Sequence, residues 1–185
     1  ANVPRFEDGK FGKGVFIEEG TTNLISSPRW YGRIGGVNPT VYSNYHWKID
    51  ATANADGQYV YYYPVFNVTQ NTDYTFSFKV ISAILPSSAF FKIAAGNNGA
   101  VIVQKNLVVS DIGKTVSVTA NSGSNTQITI AIYIGANNGQ RAVFEADYMQ
   151  LEEKNHATSF VDGTRSPETL TIPTAGVLNP QEGTV

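Results

Sequence analysis

Apolar and polar side chains alternate strictly through much of this chain. Within Gln127–Gly135, Ile128, Ile130, Ile132 and Ile134 fall on one face of an extended strand, and Thr129, Ala131 and Tyr133 fall on the other. Tyr74, Phe76, Phe78 and Val80 oppose Thr75, Ser77 and Lys79 in the same way. Similar runs predict strands at about 14–18, 22–26, 41–49, 58–68, 89–95, 100–109, 114–120 and 141–151. Asn- and Gly-rich stretches at 71–73, 96–99, 121–125 and 135–139 supply the turns between them. No stretch holds a helical period. Short strands with one buried face each predict an all-β chain folded as a two-sheet antiparallel β-sandwich. The four isoleucines are expected to pack between the sheets with Tyr74, Phe76 and Phe78.

Composition sharpens this picture. The chain holds 18 Val and 14 Ile against 6 Leu, and branching at Cβ suits a pleated strand better than a helix. Its 185 residues fit one domain with short flanks. Residues 1–21 read as an N-terminal flank with a first strand, 22–162 as the sandwich, and 163–185 as a linker. In that last segment Leu170–Ile172 and Val177–Leu178 are short apolar pieces among Pro and Gly, expected either to dock on this domain as strands or to belong to a following domain that starts within 163–185. The chain therefore reads as a piece of a longer protein. Thirteen Lys and Arg against fifteen Asp and Glu give a net charge of −2, which argues against nucleic acid and anionic membranes as partners. No apolar run approaches the ~18 residues of a spanning helix. The absence of Cys removes disulfides and thiolate chemistry.

Several stretches resemble known modules. Asn71-Thr-Asp-Tyr-Thr-Phe-Ser-Phe-Lys-Val80 resembles a strand of jelly-roll carbohydrate-binding modules of the family 4, 9, 16 and 22 type, and Phe144-Glu-Ala-Asp-Tyr-Met-Gln-Leu-Glu152 resembles their terminal strand. The likeness runs over about residues 22–162. Phe11–Ile25 and Ala157–Arg165 look like segments of modular bacterial surface and phage tail proteins. These resemblances imply a jelly roll that is non-catalytic and binds a polysaccharide or oligosaccharide. They also imply an extracellular, cell-surface or virion location, with neighbouring domains covalently linked. They further imply a structural calcium ion at Asp147, with Glu18 or Glu19 as partners. The rival reading is a spacer or adhesion module without a sugar site.

The residues themselves supply little catalytic chemistry. Glu18-Glu19 and Glu152-Glu153 are adjacent pairs, which a strand points to opposite faces. His46 and His156 stand outside any ligand-spaced motif. Sugar binding asks for flat rings against C–H faces, with hydrogen-bonding groups beside them. Trp30, Tyr31, Trp47, Tyr59 and Tyr61–Tyr63 crowd into one stretch. Tyr59, Tyr61 and Tyr63 fall opposite Val60, Tyr62, Phe66 and Val68, the expected core set. The predicted stacking surface is Trp47, Tyr61, Tyr63 and Tyr133 with Trp30 and Tyr31 at one rim, and Lys79 and Thr129 as hydrogen-bond donors. The net charge favours a neutral glycan.

Overall fold

The computed structural model describes residues 5–9, 12–16, 18–26 and 29–168. Leu170–Ile172, Val177–Leu178 and the following domain expected near the C-terminus lie outside the described residues. Near the N-terminus β1 (Arg5–Gly9) and β2 (Gly12–Phe16) form an antiparallel ribbon. Two short strands come next, β3 (Thr21–Thr22) and β4 (Trp30–Tyr31), then β5 (Thr40–Ser43), β6 (His46–Thr52), β7 (Gln58–Tyr62) and β8 (Val65–Asn67). The remaining strands are β9 (Asp73–Ile84), β10 (Ala89–Ala95), β11 (Val101–Asn106), β12 (Thr115–Asn121), β13 (Gln127–Ala136), β14 (Arg141–Glu152) and β15 (Thr164–Arg165). One 3-10 turn at Val109–Asp111 stands between β11 and β12.

Two antiparallel sheets make the jelly-roll sandwich. One runs β12-β9-β14-β6-β5, and the other runs β11-β10-β13-β7-β4 with β8 also on β13. Alternation decides which side chains enter the space between them. Ile128, Ile130, Ile132 and Ile134 of β13 are buried with Val60 and Tyr62 of β7 and Phe91 and Ile93 of β10. Facing them are Tyr74, Phe76 and Phe78 of β9, Phe144 of β14, and Trp47 and Ile49 of β6. Phe91 meets Phe78 edge-on across the gap, with ring centroids 5.1 Å apart. The expected packing of the four isoleucines with the β9 aromatics is what the core contains.

Where strands depart from the expected spans, local chemistry accounts for it. The stretch 58–68 divides at Tyr63-Pro64, because Pro64 has no N–H to give to the ladder. β7 and β8 nevertheless both pair with β13. The stretch 41–49 folds back on itself as the β5–β6 hairpin. Of the expected strand at 22–26 only Thr22 pairs as a strand, together with Thr21 before it. The buried Asn23 side chain takes over there, donating to the Met149 carbonyl and accepting from the amides of Ile25 and Leu151.

β14 changes parity midway. Its even residues Ala142, Phe144 and Ala146 point inward, whereas Met149 and Leu151 do so after a bulge between Asp147 and Gln150. Tyr148 takes the bulge with φ +55°. Gln150 and Glu152 thereby face outward, yet both are buried. Thr21 and Thr158 bond Glu152, and the Val161 amide donates to Gln150. Segments 18–25 and 157–165 therefore lie over this end of the sandwich. The boundary expected at 162 falls just before β15, which pairs with β3, and Arg165 closes an ion pair with buried Glu18 at 2.7 Å.

Candidate functional site

The same alternation that buries the β13 isoleucines turns Tyr133 outward. Register then carries aromatic rings across the sheet in one row. Tyr31 of β4 is paired with Tyr61 of β7, Tyr61 with Tyr133 of β13, and Tyr133 with Phe90 of β10. Tyr59 and Tyr63 flank Tyr61 on the same outward side. Residues paired across strands have Cβ atoms only about 5 Å apart, so large rings must stack or tilt against each other.

They do both. Phe90 and Tyr133 are parallel within 5° at 4.9 Å, and Tyr133 stacks on Tyr59 at 5.3 Å. Tyr61 and Tyr63 stack at 5.3 Å and 10°. Tyr31, 60% exposed, leans over Tyr59 and stands edge-on to Tyr63. Gly135 sits opposite Tyr59 and leaves the space that the Tyr133 ring fills: a Cβ there would meet Tyr133 Cε1 at 3.1 Å. The result is an open groove of about 400 Å³ lined by Tyr31, Tyr59, Tyr61, Tyr63, Phe90, Tyr133 and Asn98.

The polar edge of this groove comes from the β10–β11 turn. Asn98 adopts φ +60°, and its amide donates to Thr129 Oγ1 at 2.9 Å. Thr129 Oγ1 donates in turn to the Gly96 carbonyl at 2.5 Å. Tyr61 gives its phenol proton to Asn98 Oδ1 at 2.5 Å, and among the described residues Asn98 Nδ2 has no hydrogen-bond partner. Burial pushes the Tyr61 phenol up to about 12 and also raises that of Tyr133. The Lys92 ammonium stands 5.7 Å from the Tyr61 ring centre and 6.0 Å from that of Phe90. On the other side the Arg29 guanidinium lies 5.1 Å from the Tyr63 ring centre.

Four of the expected stacking residues, Tyr31, Tyr61, Tyr63 and Tyr133, come together here. The other expected groups do not. Trp47 is 1% exposed, because it shares its inward parity in β6 with Ile49 and Ala51, and its indole N–H points at Met149 Sδ, 3.0 Å away. Trp30 pairs with inward-facing Tyr62 and packs on Trp47 at 4.1 Å, so it belongs to the core edge. Lys79 lies on the outward side of β9, paired with Asp147, in the other sheet; the thickness of the sandwich separates it from the rings. Thr129 faces the right way but is fully buried under the 96–99 turn, where it holds Asn98. Sequence reasoning placed Tyr59 on this face without giving it a role. It missed Phe90, Asn98 and Lys92, since the Phe90-Phe91 pair obscures the parity of β10.

The carboxylates expected at a calcium ion have other partners. Glu18 pairs with Arg165 and accepts from Ser159. Glu19 pairs with Lys154 at 2.7 Å, which holds its carboxyl below the ordinary range. Asp147 accepts from the Tyr148 amide and lies 3.8 Å from His46 Nδ1. Calcium asks for six to eight oxygens. Among the described residues no group of three or more His, Cys, Asp or Glu is placed to hold a metal. Asp147, Glu18 and Glu19 do not fit one calcium site. A larger hollow of about 850 Å³ between Glu19 and Pro167 has no aromatic ring in its lining.

No protein-family model matches the chain, and no curated protein matches it. Solved structures similar to it are for the most part carbohydrate-binding modules. A family 4 carbohydrate-binding module is 16% identical, with 66% of this chain and 78% of that one covered and a TM-score of 0.48. A family 61 module in complex with β-1,4-galactotriose is 12% identical, covering 70% of this chain and 90% of that one, at 0.49. The K3 cleaved adhesin domain of Lys-gingipain from Porphyromonas gingivalis is 12% identical, covering 71% and 95%, at 0.45.

Proposed function

We propose that this chain is a non-catalytic carbohydrate-binding module that recognises an oligosaccharide or polysaccharide in the groove over β4, β7, β13 and β10. One observation carries the reading: the row Tyr31–Tyr61–Tyr133–Phe90, with Tyr59 and Tyr63 beside it, lies on the outward face of a sheet whose inward face already has a full core. Aromatic side chains in such number on an outer face are costly in water unless something covers them. A pyranose offers the matching surface, an apolar patch of C–H groups edged by hydroxyls. Rings supply the platform, and Asn98 Nδ2 with the tyrosine hydroxyls at the rim supplies direction. The open shape leaves much of each sugar hydrated, so affinity per site is modest and a few rings dominate it. A weak site of this kind is useful when tethered, where it raises the local concentration of an attached domain near its polymer. In this reading the module belongs to a larger secreted, surface or virion protein.

The test is a glycan array followed by calorimetry on the bound glycan. Tyr61→Ala and Tyr133→Ala should each weaken binding about tenfold or more, equivalent to roughly 1.4 kcal/mol, in a domain that still melts cooperatively. Binding that ignores both substitutions would move the site elsewhere. Failure to bind any glycan would favour the spacer reading.

A further inference from the structure

Lys92 has no place among the rings of a purely neutral groove. It occupies the outward side of β10, two residues from Phe90 and paired with small Ala131. Although it is a lysine at a sheet surface, it is only 8% exposed. Among the described residues its ammonium has no hydrogen bond and no carboxylate partner; it lies over the faces of Tyr61 and Phe90. A lysine that merely covers apolar surface with its stem keeps its charge in bulk water. Here burial lowers the Lys92 pKa, so part of that hydration is lost. Contact with ring faces offsets only part of that loss and leaves the cation without a counter-charge.

The surroundings do not supply one. None of β4, β7, β8, β10, β11 and β13 contains an Asp or Glu. The opposite sheet holds Asp50, Asp73, Glu145, Asp147 and Glu152. Although that sheet also carries Lys48, Lys79 and Arg141, every strand carboxylate of the two sheets lies away from the groove, whose two flanking charges, Lys92 and Arg29, are both positive. The neutral-glycan expectation drawn from net charge averages over this separation. Low-dielectric walls lined by one sign of charge concentrate ions of the other sign.

We propose that the groove selects an acidic sugar, with the ring of that sugar on the Tyr61–Tyr133 platform and its carboxylate or sulfate on the Lys92 ammonium. This rests on the carbohydrate-binding reading above and narrows it to a ligand class. Lys92 then acts as the group that discriminates acidic from neutral sugars, and the tyrosines hold either kind.

The experiment uses matched pairs on one array: hexuronate oligosaccharides with their carboxyl-reduced counterparts, sialylated glycans with desialylated ones, and sulfated galactans with desulfated ones. The acidic member of at least one pair should bind tenfold or more tightly than its neutral counterpart, and added salt should shrink the gap. Lys92→Met keeps the length of the side chain and removes its charge. It should make the two members bind alike without lowering the melting temperature. Which pair responds separates carboxylate from sulfate. Equal binding within every pair, or an acidic preference that survives Lys92→Met, overturns the assignment to Lys92. If Tyr133→Ala still abolishes that binding, the groove itself stands. Absence of binding to every member overturns both.

Discussion

Tyr133 lies face to face with Phe90 across the β13–β10 pair, centroids 4.9 Å apart and planes 5° from parallel, and on its other side stacks on Tyr59. A Cβ at residue 135 would lie 3.1 Å from Tyr133 Cε1, so the ring would have to shift by a few tenths of an ångström. Gly135→Ala should therefore displace Tyr133 without emptying the core. We expect glycan affinity to fall several-fold with a drop of only a few degrees in melting temperature, read by calorimetry and thermal unfolding on the same sample. Normal affinity in Gly135→Ala would show that the ring's present position is not needed.

Trp47 and Tyr133 should separate stability from binding. Truncating Trp47 to Ala opens a large cavity between the sheets and should cost about 3–5 kcal/mol, and Ile130→Ala about 2–5 kcal/mol. At temperatures where these variants stay folded, the glycan should bind as in the parent protein. A Trp47→Ala variant of unchanged denaturation midpoint would contradict its burial.

Two arginine–carboxylate pairs differ in what surrounds them. Arg165 meets Glu18, which is buried, and also bonds Ser159, whereas Arg141 meets Asp50 in the open. Arg165→Ala takes the paired charge from a buried carboxylate that keeps its Ser159 hydrogen bond, and should cost about 1–3 kcal/mol. Arg141→Ala should hardly move the melting temperature, because water screens an exposed pair. Equal effects in urea unfolding would remove the distinction.

Alkali should expose the environment of Tyr61. Its phenol is held neutral up to about 12, mainly by burial, with the Asn98 bond acting in the opposite direction. A raised folded-state pKa adds stability in full below the unfolded value of about 10. That contribution is lost as pH rises through the folded value. Absorbance titration of the phenolates should show a late step near pH 12, and Tyr61→Phe should remove it. Tyr62, pushed higher still by burial, should ionise only on unfolding.

Period-two alternation is a local property, and this sequence displays it clearly. The parity of Ile128–Ile134, of Tyr74–Val80 and of Tyr59–Tyr63 can be read without coordinates, and it determines the all-β sandwich, its central core and the outward turn of the tyrosines. The inward parity of Trp47 was legible too, in the alternation of His46–Thr52, but the crowding of aromatic residues nearby pointed the other way. Only tertiary structure decided which sheet each strand joins and in what register. Lys79 and Lys92 both face outward from their strands. Pairing of β9 with β14 sends the first to the acidic surface, and pairing of β10 with β13 sets the second beside Tyr61. Phe90 was hidden because two adjacent phenylalanines satisfy either parity. Asn98 was hidden because a turn's hydrogen bonds depend on the strand it folds onto. Sheet membership and register arise from contacts far apart in sequence, and a one-residue difference in pairing reassigns every side chain to the opposite face.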